Sequence, residues 1–126
     1  QEQKSGAIIN FGSVSGMFGY PYEIGYGSSK AAVIYMTKNA ANENGFNGVR
    51  INAVSPGWVD TNMMKTVVDS YKDVGIENSS DNVTIGPMRR VAAPEELANV
   101  VTFLASEEAS YVNGANFLVD GGMTLG

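Results

Sequence analysis

Three side chains in the first quarter of the sequence could transfer a proton: the Ser13 hydroxyl, the Tyr26 phenol and the Lys30 ammonium. Tyr26 and Lys30 are four residues apart, the spacing at which two side chains project from one face of a helix. A tyrosine in water has a pKa of about 10, and a nearby ammonium favours its charged form. We therefore expect Lys30 to bring the pKa of Tyr26 closer to neutrality, so that the phenol can act as a general acid or base.

Ser13 lies just past the end of a short apolar segment that is predicted to be a buried strand. Open α/β sheets bind ligands beyond the carboxyl ends of their strands, so a hydroxyl there could hold a carbonyl or alcohol oxygen. Oxidation of an alcohol also releases a hydride, which needs a bound cofactor because no side chain here accepts one. The alternative is that the serine only forms a turn, and that Tyr26 is a loop or packing residue like Tyr20 and Tyr22.

The composition excludes several functional classes. With 44% hydrophobic and 17% charged residues, the 126-residue chain has the composition of a soluble globular protein. Its net charge of −5 and lack of a basic patch indicate no nucleic-acid partner. No apolar run approaches the ~20 residues of a membrane span and no signal-peptide pattern opens the chain, so we expect no membrane partner and a cytoplasmic location. The absence of cysteine and histidine excludes disulfides, thiolate chemistry and a histidine-ligated metal site, and we expect no metal.

The chemistry-bearing residues lie in an alternating pattern of strands and helices. The predicted strands are residues 7–11, 49–54 and 115–119, and the predicted helices are residues 26–44, 61–72 and 94–106. This order predicts a parallel α/β sheet with right-handed crossovers and helices covering its faces. Parallel sheets usually contain more strands than these, so we expect part of a larger fold.

The motifs and their order resemble the C-terminal half of the short-chain dehydrogenase/reductase family. GAIINFGSVSG (6–16) resembles the strand that carries the catalytic serine, and YGSSK (26–30) resembles the family's Tyr-x-x-x-Lys motif. VRINAVSPGWVDT (49–61) is similar to the strand and Pro-Gly turn that hold the nicotinamide. FLVDGG (117–122) resembles the closing strand, and RRVAAPEELANVVTFLAS (89–106) the helix region before it. The resemblance implies a Rossmann-like, doubly wound parallel sheet, of which about three strands with flanking helices are present.

The resemblance also implies a role for each matching residue. Tyr26 would be the general acid/base, Lys30 would lower its pKa and hold the nicotinamide ribose, and Ser13 would orient the substrate oxygen. The step of 13 residues from Ser13 to Tyr26 is the one usual in the family. The residues expected to meet the nicotinamide and its carboxamide are Pro56, Gly57, Val59 and Thr61. A strand-ending turn at Pro56-Gly57 and a helix N-cap at Thr61 are the structural alternatives.

The implied function is that of an oxidoreductase that transfers a hydride between NAD or NADP and a ketone or secondary alcohol. A related enzyme that epimerises or dehydrates its substrate is a rival, but the extra C-terminal domain of such enzymes does not occur here. A non-catalytic or incomplete relative acting as a binding or scaffold protein is the other alternative, although such proteins typically lose the tyrosine or the lysine. The family's glycine-rich phosphate loop belongs to the N-terminal half of the domain and is not found in this sequence. We therefore expect residues 1–126 to be half of one domain and inactive alone.

Two positions depart from the family pattern. Gly12 stands where many members have a serine, and we expect it to leave Ser13 intact while making the end of the strand more flexible. Asn113-Gly114 replaces a common Thr-Gly pair, and we expect this change to have no consequence.

Two further segments are interpreted through the resemblance. Residues 61–88 are placed like a substrate-covering loop, whose apolar side chains would either line a pocket for the hydrophobic part of a substrate or pack in the core: Met63, Met64, Val67, Val68 and Tyr71. The helix after Tyr26 has apolar residues on more than one face, namely Val33, Ile34, Met36 and Ala40. We expect the second face to pack between the subunits of a dimer or tetramer; a helix buried within a larger monomer is the alternative.

Overall fold

The computed structural model describes residues 4–73, 75 and 85–125 of the chain. Its elements follow in the order β1 (Gly6–Phe11), α1 (Ile24–Asn44), β2 (Val49–Pro56), α2 (Asn62–Asp73), α3 (Pro94–Ala105) and β3 (Asn116–Val119). Each predicted strand and helix is present, with bounds that differ by one or two residues. The polar part of the segment before Arg90, residues 76–82, lies outside the described residues.

The three strands form one parallel sheet in the order β1-β2-β3. Gly6 pairs with Val49 at one end of the β1–β2 ladder, and Phe11 pairs with Val54 at the other. Because the strands are parallel, their carboxyl ends lie at the same edge of the sheet. The segments after Phe11, Pro56 and Val119 therefore meet at that edge, which is where ligands bind in open α/β sheets.

Helices cover both faces of the central strand. Val54 packs against Leu97 and Leu104 of α3 in the main apolar cluster. The next residue, Ser55, lies with Ile34 of α1 beside Gly12. Since successive residues of a strand point to opposite faces, α3 and α1 cover opposite faces of the sheet. This arrangement confirms the predicted Rossmann-like, doubly wound architecture.

Helix α1 begins at Ile24, two residues before the predicted start, and is 21 residues long. The amide of Gly27 donates a hydrogen bond of 2.7 Å to the carbonyl of Glu23, the residue before the helix. Because glycine lowers helix propensity, Gly25 favours a predicted start after it. Tyr26 thus occupies the third position of α1 and not the first.

As predicted, only some of the apolar residues of α1 face the sheet. Ile34 is buried, whereas Met36 is 52% exposed and its neighbour Tyr35 is 67% exposed. Helix α2 is different, since none of its residues is buried and it packs only lightly against the other described elements. No helix among the described residues is long and apolar enough to span a membrane.

Asn113 joins two elements, which corrects the expectation that the Asn113-Gly114 pair has no consequence. Its Oδ1 accepts a 2.8 Å hydrogen bond from the amide of Ile51 in β2. Its Nδ2 donates a 3.2 Å hydrogen bond to the carbonyl of Ala41 in α1. The side chain therefore links the central strand to the helix that carries Tyr26 and Lys30.

Candidate active site

Tyr26 and Lys30 lie on successive turns of α1, and their side chains meet. The Nζ atom of Lys30 is 5.6 Å from the centre of the Tyr26 ring. The same Nζ donates a 3.0 Å hydrogen bond to the carbonyl oxygen of Phe11, the last residue of β1. Tyr26 remains 42% exposed, so its phenol is open to a ligand.

Ser13 lies two residues beyond β1, at the start of a single 3-10 turn formed by Val14–Gly16. Its Oγ accepts a 3.2 Å hydrogen bond from the amide of Ser15, which makes it the N-cap of that turn. This turn packs directly on α1, because a Cβ added to Gly16 would lie 2.7 Å from the carbonyl carbon of Lys30. The fold therefore brings Ser13, Tyr26 and Lys30 to the carboxyl end of β1.

Gly12, between the strand and Ser13, is tightly packed, whereas we expected it to make the end of the strand more flexible. It is buried, and its amide donates a 2.8 Å hydrogen bond to the carbonyl of Val54. A Cβ at this position would overlap the Ser55 hydroxyl and lie 2.9 Å from Cγ1 of Ile34. The glycine lets β1, β2 and α1 approach one another at the point where Ser13 is presented.

The turn after β2 forms the other side of this edge. Pro56 ends the strand, and the amide of Gly57 donates a 3.1 Å hydrogen bond to the carbonyl of Val119. Val59 forms a parallel bridge with Ala92, which ties this turn to the segment before α3. The turn is thus held from both sides at the carboxyl ends of β2 and β3.

Thr61 closes the turn as the N-cap of α2. Its Oγ1 accepts a 3.3 Å hydrogen bond from the amide of Met64, three residues further along the chain. The structural alternative predicted for Thr61 is therefore confirmed. The same hydroxyl donates a long hydrogen bond of 3.4 Å to the carbonyl of Val59, which a carboxamide acceptor would have to replace.

The donor groups at this edge fit the sugar of a nicotinamide nucleotide. A lysine ammonium has three N–H donors, and the carbonyl of Phe11 uses one of those on Lys30. Two donors remain for a pair of ribose hydroxyls, with the Tyr26 phenol beside them. Because no strand of the sequence is followed by a G-x-G-x-x-G spacing, the sequence offers no comparable fit for a pyrophosphate.

Sequence reasoning did not identify Glu23, which lies three residues before Tyr26. Its Oε2 atom is buried without a hydrogen-bond partner in the described part of the chain. The same is true of Nε1 of Trp58, in the turn after β2. A signal was available for Glu23, because it is the only charged residue between Lys4 and Lys30.

Comparison with known proteins identifies the family. Residues 1–124 match a family model described as enoyl-(acyl carrier protein) reductase. The short-chain dehydrogenase fogB of Aspergillus ruber is 45% identical over 121 residues, which are 95% of this chain and 42% of that protein. The chain spans about half the length of the curated relatives it matches.

Solved structures show the same relationship. Levodione reductase superposes with a TM-score of 0.92 at 35% identity, over 98% of this chain and 48% of that one. L-sorbose reductase from Gluconobacter frateurii, solved with NADPH and L-sorbose, has a TM-score of 0.83 at 35% identity, over 98% and 49% of the two chains. The chain belongs to the short-chain dehydrogenase/reductase family.

Proposed function

We propose that this chain is the C-terminal half of an NAD(P)-dependent oxidoreductase that interconverts a ketone and a secondary alcohol. The observation that carries the proposal is the position of Lys30, whose Nζ lies 5.6 Å from the Tyr26 ring centre while bonded to the carbonyl of Phe11. A proton donor and a positive charge thereby share the carboxyl end of β1. Family membership and the NADPH bound to L-sorbose reductase support the cofactor class.

The proton chemistry follows from these three side chains. In the reducing direction, Tyr26 donates its hydroxyl proton to the carbonyl oxygen, and the ammonium of Lys30 stabilises the negative charge left on the phenol oxygen. Ser13 donates a hydrogen bond to the same carbonyl oxygen and holds it within reach of the phenol. In the oxidising direction, the phenolate takes the proton back from the alcohol. When bound, NAD(H) or NADP(H) supplies or accepts the hydride.

The nicotinamide end of the cofactor would lie against the turn after β2. We assign its binding to the four residues of that turn that match the family motif: Pro56, Gly57, Val59 and Thr61. The two N–H donors of Lys30 that Phe11 leaves unused would bind the ribose hydroxyls. The apolar side chains of α2, including the partly buried Met64 and Val67, would cover the hydrophobic part of the substrate.

The test is a Tyr26→Phe change in a full-length protein that contains this chain. Loss of a general acid typically lowers the rate by about 10²–10⁴-fold, so NAD(P)H-linked ketone reduction should fall by that factor. Cofactor binding, followed by nucleotide fluorescence, should be largely retained, since Lys30 and the turn after β2 are unchanged. Turnover that persists in Tyr26→Phe would refute the acid–base assignment.

Tyr111→Phe is the matched control, because Tyr111 is a fully exposed tyrosine outside the candidate site. It should leave the rate within about twofold of the unchanged protein. If the unchanged protein binds nucleotide but turns over no ketone or alcohol, the result supports the alternative function, that of a non-catalytic binding protein.

We also propose a homodimer or homotetramer that works in the cytoplasm with small-molecule carbonyl and alcohol substrates. The exposed apolar side chains of Tyr35 and Met36 on the outer face of α1 support an assembly through this helix. Light scattering of the full-length protein, compared with a Met36→Glu variant, measures the assembly directly. A monomer in both samples would contradict the proposal.

A further inference from the structure

Glu23 lies beside the candidate active site but has no role in the chemistry described so far. It immediately precedes α1, three residues before Tyr26, at the position of a helix N-cap. Short polar side chains at this position commonly accept a hydrogen bond from the first turn. The side chain of Glu23 makes no such capping bond, and only its backbone carbonyl accepts the amide of Gly27.

The carboxylate of Glu23 is instead turned into the protein. Its Oε2 atom is buried and has no hydrogen-bond partner within residues 4–73, 75 and 85–125. No ion pair within the same residues involves it. A buried carboxylate oxygen that lacks a donor destabilises the folded protein, and Oε2 is left in this state although the carboxylate is hydrogen-bonded to Tyr71 of α2.

Two phenols from different segments flank this carboxylate. Burial raises the pKa of Tyr71, on α2, and the Glu23 carboxylate raises it further, through its charge and through a hydrogen bond that it accepts from the phenol. Burial likewise raises the pKa of Tyr20, in the loop before α1, with added contributions from Glu23 and Asp120. Both phenols therefore stay protonated at neutral pH. The Glu23 carboxylate lies where α2 closes onto the loop that leads to Tyr26.

The backbone around Glu23 is also under constraint. The preceding residue, Tyr22, has a left-handed conformation with φ of 65°, which is uncommon for a residue other than glycine. Its ring is 79% exposed, so burial of the tyrosine does not explain the conformation. Residues in strained conformations persist where the surrounding structure requires them and are frequent at ligand sites.

We propose that Glu23 is a specificity-determining residue that accepts a hydrogen bond from a hydroxyl or ammonium group of the substrate. This inference rests on the proposed ketone–alcohol oxidoreductase function. Side chains one helical turn apart are separated by about 5–6 Å at their Cβ atoms, so the donor group would lie about two or three carbon atoms from the carbonyl that Tyr26 protonates. The lightly packed α2 would open to admit the substrate and bring Tyr71 back over the bonded carboxylate.

The experiment compares matched ketones in a full-length protein that contains this chain. Three substrates with one carbon skeleton carry a methyl, a hydroxyl or an ammonium group at the same position, two carbons from the carbonyl. The unchanged protein should reduce both donor-bearing ketones with a kcat/KM about 10–100-fold higher than the methyl ketone, the factor expected for a hydrogen bond to a charged group. Comparison of the hydroxyl and ammonium substrates shows which donor the site prefers.

Glu23→Gln removes the charge and retains the shape. It should lower the preference for the ammonium ketone about 10-fold or more, through a higher KM and not a lower kcat, because the contact lies away from the reacting bond. Glu43→Gln, an exposed change at the far end of α1, should leave the preference unaltered. Glu23→Asp keeps the charge and should retain part of the preference. It replaces Glu23→Gln in the test if that variant does not fold.

The outcomes separate this inference from the function on which it rests. If the methyl ketone is reduced and Tyr26→Phe abolishes that reduction, the reaction is established, and equal kcat/KM values for the three ketones would then overturn the role of Glu23. A preference that survives both Glu23→Gln and Glu23→Asp would overturn it as well. If no ketone is reduced at all, the proposed function fails, and the inference fails with it.

Discussion

Lys30 makes two contacts that together fix its position beside Tyr26. A lysine side chain has many rotamers, and holding its charge in one place requires a second anchor. The carbonyl of Phe11 is that anchor, at 3.0 Å from Nζ. The ammonium is thereby held 5.6 Å from the Tyr26 ring centre, and it forms no ion pair with a carboxylate of the described residues. This is a suitable position for a charge that stabilises a phenolate while a proton is transferred.

A second polar residue, Glu96, connects the start of α3 to the preceding segment. Its carboxylate accepts hydrogen bonds of 2.6 and 2.7 Å from the guanidinium of Arg90 and one of 2.9 Å from the amide of Ala93. The hydrogen bonds from Arg90, followed by that from Ala93, lower the pKa of Glu96 from 4.5 to about 2. The acidic first turn after Pro94 therefore contains a specific hydrogen-bonded pair in addition to the favourable interaction with the helix dipole.

Glu96→Gln should change how stability depends on pH. A carboxylate whose pKa is lower in the folded state stabilises the protein above its unfolded pKa of 4.5, and this contribution is lost as the pH falls to about 2. The unchanged protein should therefore be the more stable of the two at pH 7, and the difference should shrink between pH 5 and pH 2. Urea unfolding midpoints of the full-length proteins across this range provide the measurement. Because the pair is exposed, the difference at pH 7 should be small.

Glu95→Gln is the control for this prediction. Glu95 lies in the same first turn of α3 but forms no ion pair in the described part of the chain. A pH profile of Glu95→Gln that differs from the unchanged protein as much as that of Glu96→Gln would contradict the role of the Arg90 contact.

At the scale of elements, the site depends on how closely β1, β2 and α1 approach. Ser13 lies on a 3-10 turn that leaves β1 and packs on α1, while the turn after β2 is held by β3 and by the segment before α3. Each site residue is thus placed by a contact between elements. Gly12 lies at the centre of this arrangement, buried next to Ser55 and Ile34.

Gly12→Ser, the change towards the residue common in the family, should destabilise this protein. The added Cβ would overlap the Ser55 hydroxyl and lie 2.9 Å from Cγ1 of Ile34. Inserting atoms into a packed site costs about 1–3 kcal/mol, which should appear in the free energy of unfolding measured in urea. Gly19→Ser is the matched control, since nothing lies within 4 Å of its added Cβ. Equal unfolding free energies for the two variants would show that the neighbours of Gly12 adjust without strain.

At the scale of the whole molecule, the described sheet has an open side. β1 pairs with β2 on one edge only, and Ile8 and Phe11 of this strand are 48% and 49% exposed. Parallel sheets are normally covered on both faces, so apolar side chains on an outer strand indicate that more structure packs there. We propose that this structure is the N-terminal half of the same domain, because the chain spans about half the length of its curated relatives.

The isolated 126-residue chain should therefore show no nicotinamide-linked turnover. It contains the proton-transfer groups but no glycine-rich loop for the pyrophosphate, so a nicotinamide nucleotide would be held at one end only. The measurement is NAD(P)H oxidation by the isolated chain and by a full-length protein, with the same ketones. Activity of the isolated chain would contradict the prediction, whereas activity of the full-length protein alone would support it.

The sequence by itself determined the order of the elements, the parallel sheet and the pairing of Tyr26 with Lys30. These features follow from local regularities: apolar runs and turn residues define the strands and helices, and a four-residue spacing places two side chains on one helix face. The motifs also sufficed to identify the family, which the comparisons confirm. The start of α1 was predicted two residues late because the glycine in its first turn, Gly25, lowers helix propensity.

Only the tertiary structure decided the contacts between residues that are distant in the chain. The anchor of Lys30 on Phe11, the tight packing of Gly12 and the two hydrogen bonds of Asn113 each join different elements. The buried carboxylate oxygen of Glu23 is of the same kind, since its burial depends on what packs over it. A sequence pattern encodes the periodicity of one element, whereas these contacts depend on how several elements are oriented and how closely they pack.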